Sequence, residues 1–270
     1  MPEGHAIHRL ANRINKTFAG EETRSSSPQG RFAASAKIID QRELVKAEAF
    51  GKHLFVHFAG LDEVVRVHLG IYGKWSFGKR TEVVGQIRWR LSDEKLISDL
   101  RGPSACELID QDEMGTVLNR LGPDPIRSDS DPDRAWQKIS NSRAPIATLL
   151  MDQKIIAGVG NIYRAEVLFR NNIDPLAPGL EISHEQFQNI WTDLVDLMKV
   201  GVKRGRIDTV RPEHLPEAMG RPPREDVHGG EVYVYRRTNK PCFVCGTKIE
   251  TSRHAARNLF WCPKCQSARS

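Results

Sequence analysis

Apolar residues Ile7, Leu10, Ala11 and Ile14 recur at i, i+3, i+4 and i+7. This spacing predicts an amphipathic helix running to about Phe18, with Arg9, Arg13 and Lys16 off the apolar stripe. Ser25-Ser26-Ser27-Pro28-Gln29-Gly30 carries turn chemistry and reads as a loop. From about Leu44 to Leu100 the period shortens. Residues 53–58, 63–69, 86–91 and 95–100 alternate between Gly or Asp turns, which predicts strands of a sandwich or barrel. Arg120-Leu121-Gly122-Pro123-Asp124-Pro125 breaks both periods and marks a domain boundary. Beyond it, residues 131–140, 144–151, 161–171 and 183–202 have helical patterning. Ser183 and Gln186 have the spacing of a capping box. Residues 205–230, rich in proline and charge, read as a long loop, and a cysteine-rich module ends the chain. The segmentation is 1–118, a linker at 119–130, then 131–235 and 236–270, with no internal repeat.

Composition narrows the class. A chain of 270 residues with 39% hydrophobic and 27% charged content has the length of about two globular domains. No apolar run approaches the ~20 residues of a membrane helix, and the start lacks a signal-peptide pattern, so the expectation is a cytoplasmic protein. Net charge is +6, a modest lean towards a polyanionic partner. The cysteine count is five, and all but Cys106 lie beyond residue 241. That clustering points to metal rather than disulfides, and leaves Cys106 as a buried free thiol.

Cys242-x2-Cys245-x16-Cys262-x2-Cys265 is the strongest single motif. Two such knuckles supply four thiolates to one closed, structural zinc ion, with a basic β-hairpin between them carrying Lys248, Arg253, His254 and Arg257. Gly158-Val159-Gly160-Asn161 precedes a helix and reads either as a plain turn or as an anion site at the helix start, with Asn161 and Lys154 as contacts. Ile162, Ala165, Glu166 and Phe169 share one helix face by spacing, so Glu166 is buried and needs a partner: an arginine, or a role near an active site. Lys52 shares a strand face with Leu54 and Val56, so its head must snorkel or meet an anion. His68 is either a satisfied strand histidine or a ligand. Ile71 and Tyr72, bounded by Gly70 and Gly73, either fold back on the core or form an exposed wedge. Pro2 would carry a free secondary amine once Met1 is removed, with the Glu3 carboxyl beside it as a proton donor. Alone, Met1-Pro2-Glu3 is also an ordinary chain start.

Taken together and in order, Pro2-Glu3-Gly4, Gly51-Lys52-His53-Leu54, His68-Leu69-Gly70, Asp152-Gln153 with residues 158–166, and the terminal cysteines resemble the formamidopyrimidine-DNA glycosylase and endonuclease VIII family. The resemblance covers nearly the whole chain and is strongest to the endonuclease VIII branch. It implies an α+β multidomain fold: an N-terminal β-sandwich with its leading helix, a helical domain with a helix–two-turn–helix, and a β-hairpin zinc finger. The partner it implies is damaged double-stranded DNA, bound by a monomer in the cytoplasm at the nucleoid. It further implies that Pro2 is the nucleophile at C1′, Glu3 the acid and base, and Glu166 the carboxylate that steadies the catalytic N-terminus. Lys52, His68, Asn161 and Arg257 would hold phosphates around the everted nucleotide. Base loss would be followed by β- and δ-elimination.

A non-catalytic DNA-binding homologue is the rival class, and the intact Pro2-Glu3 pair argues against it. The other rival keeps the chemistry but takes oxidised purines. The stretch Asp99-Leu100-Arg101-Gly102-Pro103-Ser104 has no phenylalanine, whereas purine-type members have one in the corresponding later loop. With Ile71 and Tyr72 together on the first loop, the expectation is a preference for oxidised pyrimidines.

Overall fold

The computed structural model describes residues 2–79, 82–225, 230–254 and 257–267. The chain divides into two compact units, Met1–Arg120 and Leu121–Ser270.

The first unit opens with α1 (Gly4–Phe18), which buries Ile7, Leu10, Ala11, Ile14 and Phe18, the stripe its spacing predicts. There follow β1 (Glu22–Ser26), α2 (Ala33–Ile39), β2 (Arg42–Phe50), β3 (His53–Phe58), β4 (Val64–His68), β5 (Lys74–Gly78), β6 (Ile87–Ser92), β7 (Ile97–Arg101), β8 (Ala105–Ile109) and α3 (Gln111–Asn119). The strands run in the order β5-β7-β6-β1-β2-β3-β4-β8. β1 is the corner strand. Glu22 and Thr23 pair with β2, while Arg24, Ser25 and Ser26 pair with β6. The sheet thereby turns into two layers, whose inner faces share one core containing Leu54, Val56, Val65 and Val67 from one layer and Trp89, Leu91 and Leu100 from the other.

Ser25 and Ser26 are therefore strand residues, not the loop their composition suggests. Thr23 and Ser25 are buried, and hydrogen bonds satisfy them: Thr23 Oγ1 donates to Arg42 O at 3.2 Å, and Ser25 Oγ accepts from Trp89 Nε1 at 3.0 Å. The outer face of the β2-β3-β4-β8 layer is also covered. Phe50, Phe55, Val64 and Ile109 pack with Met114, Val117 and Leu118 of α3, whose start is a capping box of Asp110 and Glu113.

The second unit contains α4 (Asp133–Ser140), α5 (Ile146–Leu149), α6 (Asn161–Arg170), α7 (His184–Arg204), α8 (Pro216–Met219), β9 (Glu250–His254) and β10 (Arg257–Trp261). The capping box of Ser183 and Gln186 is present, and α7 ends at Gly205 with φ 76°. α6 departs from its sequence reading. Every residue from Ile162 to Phe169 is buried, so the helix is central rather than one-faced. Residues 205–225 likewise do more than loop. They contain a 3-10 turn at Pro212–His214 and α8, and Arg221 straps them down by donating to Glu231 Oε2 at 2.6 Å and to His214 O at 3.0 Å. The rest of that predicted loop, 226–229, lies outside the described residues, as does Met1. Cys242, Ile249, Leu259, Phe260 and Cys262 belong to the same core as α6 and α7, so the cysteine module is continuous with the helices. No described helix is long and apolar enough to cross a membrane.

Candidate active site, phosphate contacts and metal centre

Pro2 and Glu3 stand at the start of α1, with Glu3 as its N-cap residue and only 1% exposed. The helix is pinned to β2 by a reciprocal amide pair: Asn15 Nδ2 donates to Ala47 O at 2.8 Å and Ala47 N donates to Asn15 Oδ1 at 2.5 Å. Together with the buried stripe, this gives the dipeptide a rigid mount. His5, the second residue of α1, is buried, and its pKa is brought down to about 4 by burial and by Arg9 and His8.

Lys52 lies in the tight turn between β2 and β3, where Phe50 pairs with His53 and Gly51 has φ 58°. His53 in turn pairs with His68 across β3 and β4, and their ring centroids are 4.8 Å apart. Lys52, His53 and His68 thus cluster at one end of strands β2 to β4, where Arg66 Nε donates to His53 Nδ1 at 3.3 Å. His68 is held below its ordinary pKa by burial, Arg66 and Lys52, and His53 is brought down to about 3 by burial, His68 and Arg66. The loop that follows is closed by Gly73 N donating to Leu69 O at 3.0 Å. A Cβ on Gly73 would collide with that oxygen, so glycine is required there. The closure turns the loop tip outward. Ile71 is 51% and Tyr72 83% exposed, which excludes a return to the core.

In the second unit, the Gln153 side chain staples the approach to α6, accepting from Gly158 N at 3.0 Å and donating to Val159 O at 2.9 Å. Lys154 is exposed beside it. Asn161 opens α6 and donates to Asn258 O of β10 at 3.0 Å. Arg164, fully buried, donates to both Asn161 Oδ1 and Asn258 O. Sequence reasoning missed Arg164. The available signal was its position one turn after Asn161 on the same side of the helix. β10 begins at the exposed Arg257, paired with His254; the intervening residues 255–256 are outside the described set.

Glu166 is fully buried, and the donors it binds are not arginines. Its Oε2 accepts from Thr209 Oγ1 at 2.5 Å and Tyr233 N at 2.7 Å, and its Oε1 from Val234 N at 2.9 Å and Tyr235 N at 2.8 Å. Three successive backbone amides form a nest for one carboxylate.

The Sγ atoms of Cys242, Cys245, Cys262 and Cys265 all lie within 4.8 Å of one another. Thiolates at the tetrahedral Zn–S distance of ~2.3 Å are roughly 3.8 Å apart, so the four sulfurs fit one zinc ion with no coordination position left for substrate. Gly246, at φ 74°, turns the first knuckle, and its N–H donates to Cys242 O at 3.0 Å. Gln266 Nε2 ties the second to the helices by donating to Ile173 O at 3.0 Å. Cys106 is the remaining free thiol. It is buried, with its pKa pushed up to about 12 by that burial, which makes it inert.

Comparison with known proteins agrees with this geometry. Residues 1–111 match the formamidopyrimidine-DNA glycosylase N-terminal domain, 121–212 the formamidopyrimidine-DNA glycosylase H2TH domain, and 239–268 the zinc finger found in FPG and IleRS. Endonuclease 8 1 of Mycobacterium tuberculosis is 51% identical over 99% of this chain and 100% of its own length. Formamidopyrimidine-DNA glycosylase of Prochlorococcus marinus is 29% identical over 98% of this chain and 99% of its own. Among solved structures, a complex of Lactococcus lactis Fpg with DNA containing an abasic site has a TM-score of 0.80 at 20% identity, over 98% of this chain and 100% of that one. MutM (Fpg) of Thermus thermophilus has a TM-score of 0.77 at 23% identity, with both chains covered in full. From its leading helix to its four-cysteine hairpin, the chain belongs to the formamidopyrimidine-DNA glycosylase and endonuclease VIII family.

Proposed function

We propose that this protein excises oxidised bases, pyrimidines in preference, from double-stranded DNA and then cleaves the strand at the resulting abasic site. The observation that carries this reading is the Pro2-Glu3 pair on a helix locked to its sheet by Asn15 and Ala47. The secondary amine of Pro2 attacks C1′ of the everted nucleotide as the N-glycosidic bond breaks. Glu3 supplies and retrieves protons. Glu3 protonates O4′ as the C1′–O4′ bond opens, and the iminium that results is cationic without further protonation, so it acidifies the C2′ hydrogen and drives β- and then δ-elimination. Amine reactivity requires removal of Met1, because an acylated proline nitrogen has no lone pair to give.

Lys52 and His68 hold phosphates from the first unit, and Lys154, Asn161 and Arg257 from the second. Ile71 and Tyr72 fill the gap left by the everted base. Glu166 is the carboxylate that steadies the catalytic N-terminus, and the backbone amides of 233–235 are the groups it organises. The zinc ion, held by the four cysteines, supplies structure alone by fixing the hairpin that carries Arg257.

Borohydride tests the central step. It reduces the iminium and leaves a covalent protein–DNA adduct on a duplex with an abasic site or a thymine glycol. Pro2→Gly and Glu3→Gln lose most base excision. Undiminished trapping by protein with a blocked Pro2 nitrogen would move the nucleophile to a lysine, Lys52 first.

A further inference from the structure

Ser104 makes an unusual set of contacts with one residue. Its backbone N–H donates to His68 O at 2.9 Å, and its Oγ donates to the same carbonyl at 2.9 Å. A carbonyl has no hydrogen to give, so the single hydroxyl proton of Ser104 must point at His68 O. The same Oγ lies 2.7 Å from His68 Nδ1. With its proton already committed, Oγ presents only lone pairs to the ring, and the hydrogen in this contact belongs to Nδ1. This arrangement favours the Nδ1–H tautomer of neutral His68, which leaves a bare lone pair on Nε2. Nε2 makes no hydrogen bond among the described residues.

A phosphate offers acceptor oxygens alone, and a lone pair facing one is repelled. We propose that Ser104 is a positioning residue that makes DNA binding proton-linked: by holding His68 as the Nδ1–H tautomer, it allows Nε2 to bind a phosphate only after taking up a proton. This rests on His68 being a phosphate contact, as read above. The proton comes from solvent and forms the Nε2–H bond, leaving an imidazolium that donates from both nitrogens. Around it stand Lys52 on the β2–β3 turn, His53 on β3, Arg66 on β4 and Glu107 on β8. Glu107 pairs with Arg66 Nη1 at 2.6 Å. His53 Nδ1 accepts from Arg66 Nε at 3.3 Å and is neutral near pH 7, so it adds no charge. Burial, Arg66 and Lys52, in that order, hold the His68 pKa below its ordinary value in the free protein, and an arriving phosphate offsets the two cations. Space for the serine is reserved by Gly70, where a Cβ would lie 3.0 Å from Ser104 Oγ.

Two measurements test this. Nitrogen-15 imidazole NMR of the free protein reads the tautomer directly. The expected result is a protonated Nδ1 on His68, with that bias lost in Ser104→Ala and kept in Ser104→Thr. Affinity for a duplex with a tetrahydrofuran abasic-site analogue is then measured from pH 6 to 8.5 at constant ionic strength. Wild type and Ser104→Thr tighten as pH falls, with a limit of about tenfold per pH unit for one proton. In Ser104→Ala the neutral ring can turn an Nε2–H outward, so the slope falls below about twofold per unit. An Nε2–H tautomer in the free wild type overturns the proposal, and so does an unchanged slope in Ser104→Ala. A wild type that fails to bind the duplex at any pH, with the Nδ1–H tautomer seen, places the failure in the reading of His68 as a phosphate contact and removes the proposal with it.

Discussion

Asn161 donates its side-chain amide to the carbonyl of Asn258 at 3.0 Å, joining the first residue of α6 to the zinc hairpin across 97 positions of sequence. Buried Arg164 bridges the same two residues. The helix start and the hairpin are therefore one assembly, and the four cysteines beneath the hairpin set the position of both. Purified protein should contain one zinc per chain. Cys245→Ser should lose the metal and weaken DNA binding by at least about tenfold, since the phosphate contacts proposed for both elements would be lost. Metal analysis alongside a binding titration checks this, and tight binding by zinc-free protein would contradict it.

Arg257 is exposed at the first position of β10 and makes no side-chain hydrogen bond among the described residues. Arg257→Ala should weaken binding to all duplexes alike. The slope of log K against log salt should fall by about 0.9, the value for one phosphate contact. An unchanged slope would place Arg257 away from DNA.

Much of this arrangement was legible because its signals are local. The stripe ending at Phe18, the capping box at Ser183 and the spacing of four cysteines each lie within one stretch of chain. β1 was not legible, because its inward residues are Thr23 and Ser25. Their burial is stabilised by hydrogen bonds to Arg42 and Trp89, distant partners that no period announces. The start of α3 is carried by the local Asp110–Glu113 spacing of a capping box. For Glu166 the pattern gave burial but not the partner, since the amides that bind it lie 67 to 69 residues away. Its all-round burial, and that of Arg164, follow from α6 being central, which a one-faced reading of the helix could not express.

Acid should destabilise the first unit early. His5 and His53 have pKa values brought down to about 4 and about 3, and His68 is also lowered. In each case the folded state binds its proton less readily than the unfolded chain, where histidine titrates near 6.5. Stability from these groups is complete above pH ~6.5 and is lost as pH falls below it, by up to about 1.4 kcal/mol per pH unit for each histidine. Urea midpoints at pH 5 and pH 7.5 should differ in wild type, and His5→Gln should narrow the difference. Equal midpoints in wild type would argue that the histidines titrate freely.

Glu166→Gln keeps the shape of the side chain but halves its acceptor oxygens. The new NH2 group would face Tyr233 N–H and Thr209, or Val234 and Tyr235 N–H, with donor against donor. A loss of about 2–4 kcal/mol in unfolding free energy is expected, with exchange of the 233–235 amides rising before global unfolding. Unchanged protection of those amides would mean that other contacts hold the segment.

The lesion preference turns on what fills the helix when a base is everted. Arg101, on the later of the two candidate stretches, is drawn into the sheet. Its guanidinium donates to Asp99 Oδ2 at 2.9 Å, Ser76 Oγ at 3.1 Å and Val84 O at 3.1 Å. A side chain committed in this way is poorly placed to reach into a base stack, and no phenylalanine follows it. Ile71 and Tyr72 are exposed on one tight loop and can fill the gap together. In single-turnover assays on matched duplexes, thymine glycol opposite adenine should be excised faster than 8-oxoguanine opposite cytosine. The reverse order would assign the chain to purine lesions. Tyr72→Ala separates gap filling from base choice, which is made in the pocket. It should slow excision from duplex DNA about tenfold or more and leave excision from single strands nearly unchanged, because a single strand has no paired stack to hold open.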